Sequence, residues 1–552
     1  MSHFDLVLFN FTSPMLDGDI KAIAIKDGRI GGLLKQIPDG EQLLNCEGNT
    51  ILPGIDDSHL HAYNYGRTFH ILDVRTATCP NLEAVQKQVR EAAIDSSGWI
   101  RGVGWDDTNL VGSGNQGSLT AHDLDGARSD VPVVLSDVTG HQAWCNSIAL
   151  ALAGLDHPGV ENPSGGHFDR DNSGKPSGVV YESAVGVVNR AVPDISRAER
   201  LVAIKSGQAA LLSQGIVAIT DPGLGPGATT LEDGTGTYDA IGAYRELEAN
   251  GELIIRANLM LLYGGLGGTT AQGVADGLDA FGPPQPMKKF GRVGVSQLKV
   301  FADGIPRSRT AWMSEPYDDC SHGHLTVAGL TDQERVEELQ GIIRAGVSRG
   351  WQMGFHTTGD QAVHEVVSAI AKSDEKSKSL RHYIIHGDFA DVEDFKTMSQ
   401  IGMTINSNPS IRWFVGDSVV PKLGAERNAR RQAIRTAWDL GVNVCASSDA
   451  PVASPDWRVI IAAMMTRSIA TDSTRTDDQK LTLDQALAAM TRNAAWQSHA
   501  ESWRGQIAEG FAADLIVMSG NPDWREPWSL MEHFVEQTIV GGKVVYQRGE
   551  SL

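Results

Sequence analysis

Cysteine is scarce and scattered. The five residues, Cys46, Cys79, Cys145, Cys320 and Cys445, are odd in number and contain no C-x-x-C, so neither a disulfide framework nor a thiolate zinc knuckle is expected. They are read as core thiols. Positive charge is also short: 47 Lys and Arg stand against 68 Asp and Glu, a formal net charge of -21. Phosphate backbones and anionic membranes are bound by clustered cations, so neither nucleic acid nor membrane is expected as a partner. No stretch approaches the roughly 18 uninterrupted apolar residues of a membrane span. The opening MSHFDLVLFNFTSPM has neither a basic n-region nor a long apolar h-region, and a cytoplasmic, soluble protein is the expectation. A homodimer is the expected assembly, dimers being the commonest homo-oligomers.

Several familiar signals are missing as well. There is no catalytic-cysteine signature, and the one G-x-S-x-G match, GVSRG at 346, closes a stretch with helical spacing instead of opening one after a strand. Glycine-rich GLGPG at 223 and GGLGG at 264 lack a following G-K-[ST] and read as turns. The loop DRDNSG at 169 begins like a calcium loop, but its twelfth position is Val180, where a bidentate Glu is needed.

What is present is a chain of 552 residues, 41% hydrophobic and 21% charged, ordinary for a globular protein with a large core. Both ends alternate short apolar runs with glycine turns (DLVLFN, IKAIAIKDGRI; ADLIVMSGN, QTIVGGKVVYQRG), the pattern of hairpin-rich β structure. Residues 1–53 and 503–552 are therefore expected to form one small composite β domain around a main domain at 54–502. Inside that insertion, eight β-rich runs end in polar or glycine-containing turns: TILPGIDDSHLH, GIVAITDPG, IIRANLMLLYGG, SQLKVFADG, WQMGFHTTGD, HYIIHGD, GMTINSNPS and GVNVCASSD. Most are followed by stretches with apolar residues at helical spacing, such as QERVEELQGIIRAGVSRG and RNARRQAIRTAWDLG. Eight such units predict an α/β fold, a (β/α)8 TIM-like barrel whose chemistry sits at the C-terminal ends of its strands. About residues 67–200, between the first and second runs, form an excursion long enough to be a substrate-side subdomain.

On a strand, His59 and His61 share one face with Leu60 on the other. An isolated H-x-H is more often two ordinary histidines beside a buried leucine than a chelate. The barrel changes the odds, because Lys299, His356, His386 and Asp449 end the fourth, fifth, sixth and eighth runs and face the same mouth. Imidazoles and a carboxylate together suit Zn2+, Mn2+ or a similar divalent cation. An ammonium has no lone pair, so Lys299 is either a counter-ion or modified.

At this point the sequence resembles the amidohydrolase superfamily, in its YtcJ-like amidohydrolase family 3 branch. The likeness rests on LPGIDDSHLH, LKVFADGIPRSRTAWMSEPYDD, HTTGDQAVHEVV, RHYIIHGD, SSDAPVASPDW, GQIAEGFAADLIVM and TIVGGKVVY, in order from 51 to 546. It implies a β-sandwich joined to a metal-dependent barrel, with His59, His61, His356, His386 and Asp449 as ligands and Asp449 as the catalytic acid/base. It also implies that Lys299 can be carboxylated by CO2 and bridge two metals, and that one or two divalent ions, Zn2+ foremost, serve as cofactor. The activity implied is hydrolysis of a C–N bond in a small amide, formamide or cyclic amide through metal-activated water, N-substituted formamide deformylases being the nearest named activity. His141, Trp105, Arg307 and Arg309 lie in segments that face the substrate pocket in this family. Two departures bear on substrate: Asn408-Pro409 stands where Gln-Pro is common, and DGIPRSRTA replaces DGSLGSRTA. The alternatives are a lyase or isomerase on the same metal site, or an inactive binding or regulatory barrel.

Overall fold

The computed structural model describes residues 4–550 apart from 108–109, 115–116, 139, 164–165, 228–235, 266–267 and 473–477. Each of the eight sequence runs supplies a strand: β1 (Ile55–Asp57), β2 (Ile216–Leu224), β3 (Arg256–Leu261), β4 (Val293–Phe301), β5 (Gln352–Thr357), β6 (Tyr383–His386), β7 (Thr404–Ser407) and β8 (Asn443–Ala446). Neighbours pair in chain order and all in parallel. Parallel strands with both faces covered are largely apolar, and all nine residues of β2 and all six of β3 are buried, the polar Asp221 and Arg256 among them being paired. Beyond the last strand residues the seam between β1 and β8 is stitched by backbone bonds, Asp449 N–H to His59 O at 3.0 Å and His61 N–H to Ala450 O at 2.9 Å.

Helices start where the sequence caps them. Thr331 and Glu334 form a reciprocal capping box at the head of Asp332–Ser348, and Ser196 and Glu199 do the same for Arg197–Ser213. One expected helix is interrupted. RNARRQAIRTAWDLG folds as two short helices, Ala425–Ala429 and Ile434–Asp439. Between them Gln432 adopts a positive φ of 52°, and its backbone N–H reaches Asp388 O at 2.7 Å. That tertiary bond overrides the local helical pattern.

The chain ends form two four-stranded sheets. One is ordered Arg29–Leu34, Ala22–Lys26, Phe4–Phe9, Gly40–Asn45; the other Lys543–Gln547, Val535–Val540, Leu515–Met518, Thr50–Pro53. They share an apolar cluster that includes Leu8, Ile25, Ile51, Leu515 and Ile539. Asp514 ties this unit to the barrel. Its carboxylate accepts from Arg256 Nε at 2.6 Å and Nη2 at 2.9 Å, and from Gly541 N–H at 2.8 Å. Burial pushes the carboxyl's pKa up, but Arg256 outweighs it and the net position is below the ordinary range. Asp514→Ala leaves a buried guanidinium unpaired and is expected to cost about 3–5 kcal/mol of stability, read by denaturant unfolding. Because the folded pKa is depressed, the contribution is present above the unfolded value near about 3.9 and is lost as pH falls through the folded one. An unchanged midpoint at pH 7 would show the pair to be dispensable.

Between β1 and β2 a third sheet is inserted, six strands in the order Gly166–Arg170, Pro176–Glu182, Gln142–Cys145, Val133–Asp137, Ile100–Trp105, Leu72–Asp73. It carries its own apolar cores. No helix among the described residues is long and apolar enough to cross a membrane.

Candidate metal centre and active site

His59 and His61 follow β1 with their rings edge to face, centroids 5.4 Å apart, while Leu60 between them is fully buried. Two carboxylates fix the segment. Asp57 accepts from the N–H of Ser448 at 3.2 Å, crossing to the loop after β8, and burial pushes its carboxyl up to about 7. Asp221 on β2 accepts from the N–H of Tyr63 at 3.0 Å and the hydroxyl of Tyr244 at 2.6 Å.

Asp449 closes the first half of the site. Its Oδ1 lies 3.3 Å from His59 Nε2 and 3.2 Å from His61 Nε2, and donor atoms of the three residues all fall within 4.8 Å of one another. Burial pushes the Asp449 carboxyl up, yet hydrogen bonds from the two imidazoles hold it well below the usual carboxylate range. Asp449 and His386 have positive φ, 61° and 70°. Such strained backbone on bulky residues clusters at functional sites.

The second half supplies the sharpest test of whether a cation fits. His386 donates Nδ1–H to Asn408 Oδ1 at 2.6 Å, the Asn408 amide group being oriented by its own bonds to Ser447. His356 donates Nε2–H to the carbonyl of Gly304 at 3.2 Å. The remaining nitrogens, His386 Nε2 and His356 Nδ1, then face each other at 3.1 Å with a lone pair on each. Two nitrogens each about 2.1 Å from one cation in a tetrahedral site lie about 3.4 Å from each other, close to the separation here. Burial lowers both imidazoles' pKa values, and that of His59, whose pKa the Lys299 charge lowers further. Neutral rings with converging lone pairs are the state that binds metal. The residues therefore fit a divalent cation.

Lys299, 2% exposed on β4, places Nζ 3.5 Å from His59 Nε2 and 4.8 Å from the centre of the Phe301 ring. No carboxylate among the described residues lies within ion-pair distance of it.

These groups border a cavity of about 140 Å³ at the barrel mouth, lined by His61, Lys299, His356, His386 and Asp449 and also by His141 and Arg307. His59 sits just behind the wall, fully buried. Two residues expected at the pocket are placed elsewhere. Trp105 is interior to the inserted sheet, its indole N–H bonded to Leu135 O at 2.8 Å and its ring against Trp144. Arg309 forks onto Asp318 at 2.8 Å from both Nε and Nη2 and holds its own loop. Arg307 borders the cavity while its Nη2 bonds Asp106 at 3.2 Å and Asp107 at 3.0 Å, joining the loop after β4 to the inserted sheet. Three groups were not singled out from sequence: Asn408 as the orienter of His386, Glu182 as the partner of His141 at 2.7 Å, and Arg431. Arg431 binds Asp388 at 2.7 Å, while its Nη1 is buried without a hydrogen-bond partner among the described residues, and the residue lines the cavity.

A barrel with this histidine, lysine and aspartate constellation defines the class, and comparison with known proteins agrees. Residues 42–546 match the amidohydrolase family, and the chain belongs to it. YtcJ of Bacillus subtilis (strain 168) is 27% identical over 98% of both chains. An N-substituted formamide deformylase of Arthrobacter pascens is 25% identical over 99% of this chain and 98% of that one. The fold is shared with a solved metal-dependent hydrolase of Pyrococcus horikoshii OT3, with a TM-score of 0.71 at 20% identity, covering 94% of this chain and 97% of that one. Family membership supports a hydrolase.

Proposed function

We propose that the protein is a metal-dependent hydrolase that cleaves a C–N bond of a small formamide, N-acyl amine or cyclic amide, with Zn2+ as the expected ion. The observation that carries this reading is the pair of opposed lone pairs on His356 and His386 beside an ionised, buried Asp449 at the barrel mouth. A divalent cation bound there lowers the pKa of water and polarises a carbonyl oxygen. Asp449 then has two tasks: its Oδ atoms accept the proton of the attacking water and pass it to the departing nitrogen. His59 and His61, at 3.3 and 3.2 Å, hold that carboxylate in place through both transfers.

The rest of the cavity suggests what the substrate carries. Val138, Ile305, Pro306, Ile411, Phe414 and Val415 make its outer wall apolar, while the Arg307 and Arg431 charges are matched by Asp106, Asp107 and Asp388. An amide with an uncharged apolar arm suits this lining, with an acceptor atom for Arg431 Nη1. The test is to measure bound metal and then screen formamides, N-acyl amines, imides and lactams by mass spectrometry. Products heavier by one water in sum support hydrolysis. Products equal in mass to the substrate, or formed by elimination without water, would replace the reading with a lyase or isomerase.

A further inference from the structure

Asn406-Ser407-Asn408, at the end of β7, sets two amides on alternate positions, and both turn to the same neighbour, Ser447 just after β8. Both amides, Ser447 and Ser58, the residue after β1, are fully buried. Asn408 Oδ1 accepts from His386 Nδ1–H at 2.6 Å, and its Nδ2 donates to Ser447 Oγ at 3.0 Å and to Ser447 O at 3.2 Å. Ser447 Oγ–H donates in turn to Asn406 Oδ1 at 2.7 Å. Asn406 Nδ2 then reaches Ser58 O at 3.0 Å, the carbonyl of the peptide that leads into His59. An unbroken chain of hydrogen bonds thus runs from one half of the proposed ligand set to the backbone that carries the other half.

Two backbone carbonyls, which only accept, fix the direction of every bond in the chain. Ser447 O requires the NH2 end of Asn408 to face it, which leaves Oδ1 for His386. Ser58 O requires the same of Asn406, which leaves Oδ1 for Ser447. His386 therefore carries a proton on Nδ1 in either charge state of the ring, and Nε2 is the nitrogen left for a cation. Gln497 braces the far end, its Nε2 donating to Ser58 O at 3.3 Å and its Oε1 accepting from Asn406 at 3.2 Å. All donors point the same way, so each bond polarises the next. Buried amides are costly unless paired, and here both oxygens and both nitrogens have partners. Leucine would fill the same space without that demand, so the polar chain points to a use.

We propose that Asn406 and Asn408, joined through Ser447, form a positioning relay that sets His386 and the peptide before His59 against each other, so that the two halves of the site capture a divalent cation as one unit. Among the described residues Asn406 makes no hydrogen bond to a ligand side chain, yet the relay makes it a determinant of metal affinity. The inference rests on the metal-centre reading and is independent of the substrate, because metal affinity is measured without turnover.

The experiment measures the Zn2+ dissociation constant of the full-length protein by competition with a chelator, and the Tm of the metal-free form. It compares wild type, Asn408→Leu, Asn408→Asp, Asn406→Leu, Ser447→Ala, the Asn406→Leu/Ser447→Ala double variant and Asn146→Leu. Asn408→Leu is expected to weaken Zn2+ by roughly 10- to 100-fold, the range for losing the hydrogen-bond partner of a metal-binding imidazole. Asn408→Asp keeps an acceptor for Nδ1–H and should stay within about 3-fold of wild type even as its Tm falls. Ser447→Ala removes one oxygen and leaves Asn408 oriented by the 447 carbonyl; it and Asn406→Leu should each weaken Zn2+ by about 10-fold, the low end of that range. The double variant should lose less than the product of the two single losses, because both cut the same chain. Asn146→Leu is the control. Asn146 is also fully buried and donates to Arg128 O at 3.1 Å and Val131 O at 2.9 Å inside the inserted unit, so its loss should lower Tm and leave Zn2+ affinity unchanged.

Amides with only a structural role predict that Zn2+ affinity tracks Tm across the series, with Asn146→Leu and Asn408→Asp weakened alongside Asn406→Leu. That result overturns the proposal. So does wild-type affinity in both Asn406→Leu and Ser447→Ala, which would confine the effect to Asn408, and so do single losses that multiply in the double variant. Should Asn406→Leu fail to fold, Ser447→Ala decides the matter, since one missing oxygen leaves the backbone pairing of β7 and β8 intact. A wild type that binds no Zn2+ overturns the relay and the metal centre together. A series that behaves as expected in a protein that cleaves no amide leaves the relay standing while the substrate class falls.

Discussion

Asp449→Asn is expected to lower kcat by at least about 10²-fold while leaving the fold and much of the bound metal in place. The substitution keeps the shape and one acceptor oxygen facing His59 and His61, at 3.3 and 3.2 Å in the native residue, but it removes the anion. An amide cannot take the proton of attacking water, and the low end of general acid–base catalysis is about 10²-fold. The ionised state is available because the flanking imidazoles hold the carboxyl well below its usual range despite burial. Turnover of the best substrate, metal content and circular dichroism decide the matter together. Near-normal kcat in a folded, metal-bearing variant removes Asp449 from proton transfer; loss of metal in step with activity makes it a ligand first.

Lys299→Ala should lose both metal and activity, and the native enzyme should need CO2 to be rebuilt. A free ammonium at this position would be 98% covered, 3.5 Å from an imidazole nitrogen, with no carboxylate at ion-pair distance among the described residues. Burying an unpaired charge is expensive. Reaction of the neutral amine with CO2, releasing one proton, replaces the cation by a carbamate whose two oxygens can bridge cations. Carbamate formation and metal capture are then thermodynamically linked. Metal-free enzyme given metal and bicarbonate should regain activity better than enzyme given metal in CO2-depleted buffer, and a short carboxylic acid should restore a fraction to Lys299→Ala. An unmodified Lys299 in active holoenzyme, with one metal per chain and no bicarbonate effect, would leave a mononuclear hydrolase and dispose of the bridge.

The barrel was readable because each strand is an apolar run that must be buried on both faces, and because the residue breaking the run at its C-terminal end stands where the fold collects its chemistry. His356, His386 and Asp449 were singled out that way, and they line one cavity with His61 and Lys299. Trp105 illustrates the limit. The inserted sheet is covered on both faces, so an aromatic residue in its strand carries no mark saying whether it points to substrate or to Trp144. Arg309 fails similarly, since acidic neighbours at 318 and 319 satisfy its fork locally. Glu182 left no local trace because its partner is 41 residues away, and only the antiparallel register unites them. The interruption at Gln432 depends on a bond to Asp388 that no helical periodicity encodes.

The seam between β1 and β8 has a consequence in time. His59 and Asp449, whose backbones close the barrel, are 390 residues apart (449 − 59). At about 5–20 residues per second a ribosome needs on the order of 20–80 s to travel between them. Through that interval the nascent chain holds His59 and His61 with nothing to close against. Thr50–Pro53, which pairs with Leu515–Met518 in the finished protein, waits longer still as an apolar strand with an unpaired edge. A ribosome that stalls before Leu515 releases a chain with that edge open, the surface that aggregation uses and that chaperones must cover.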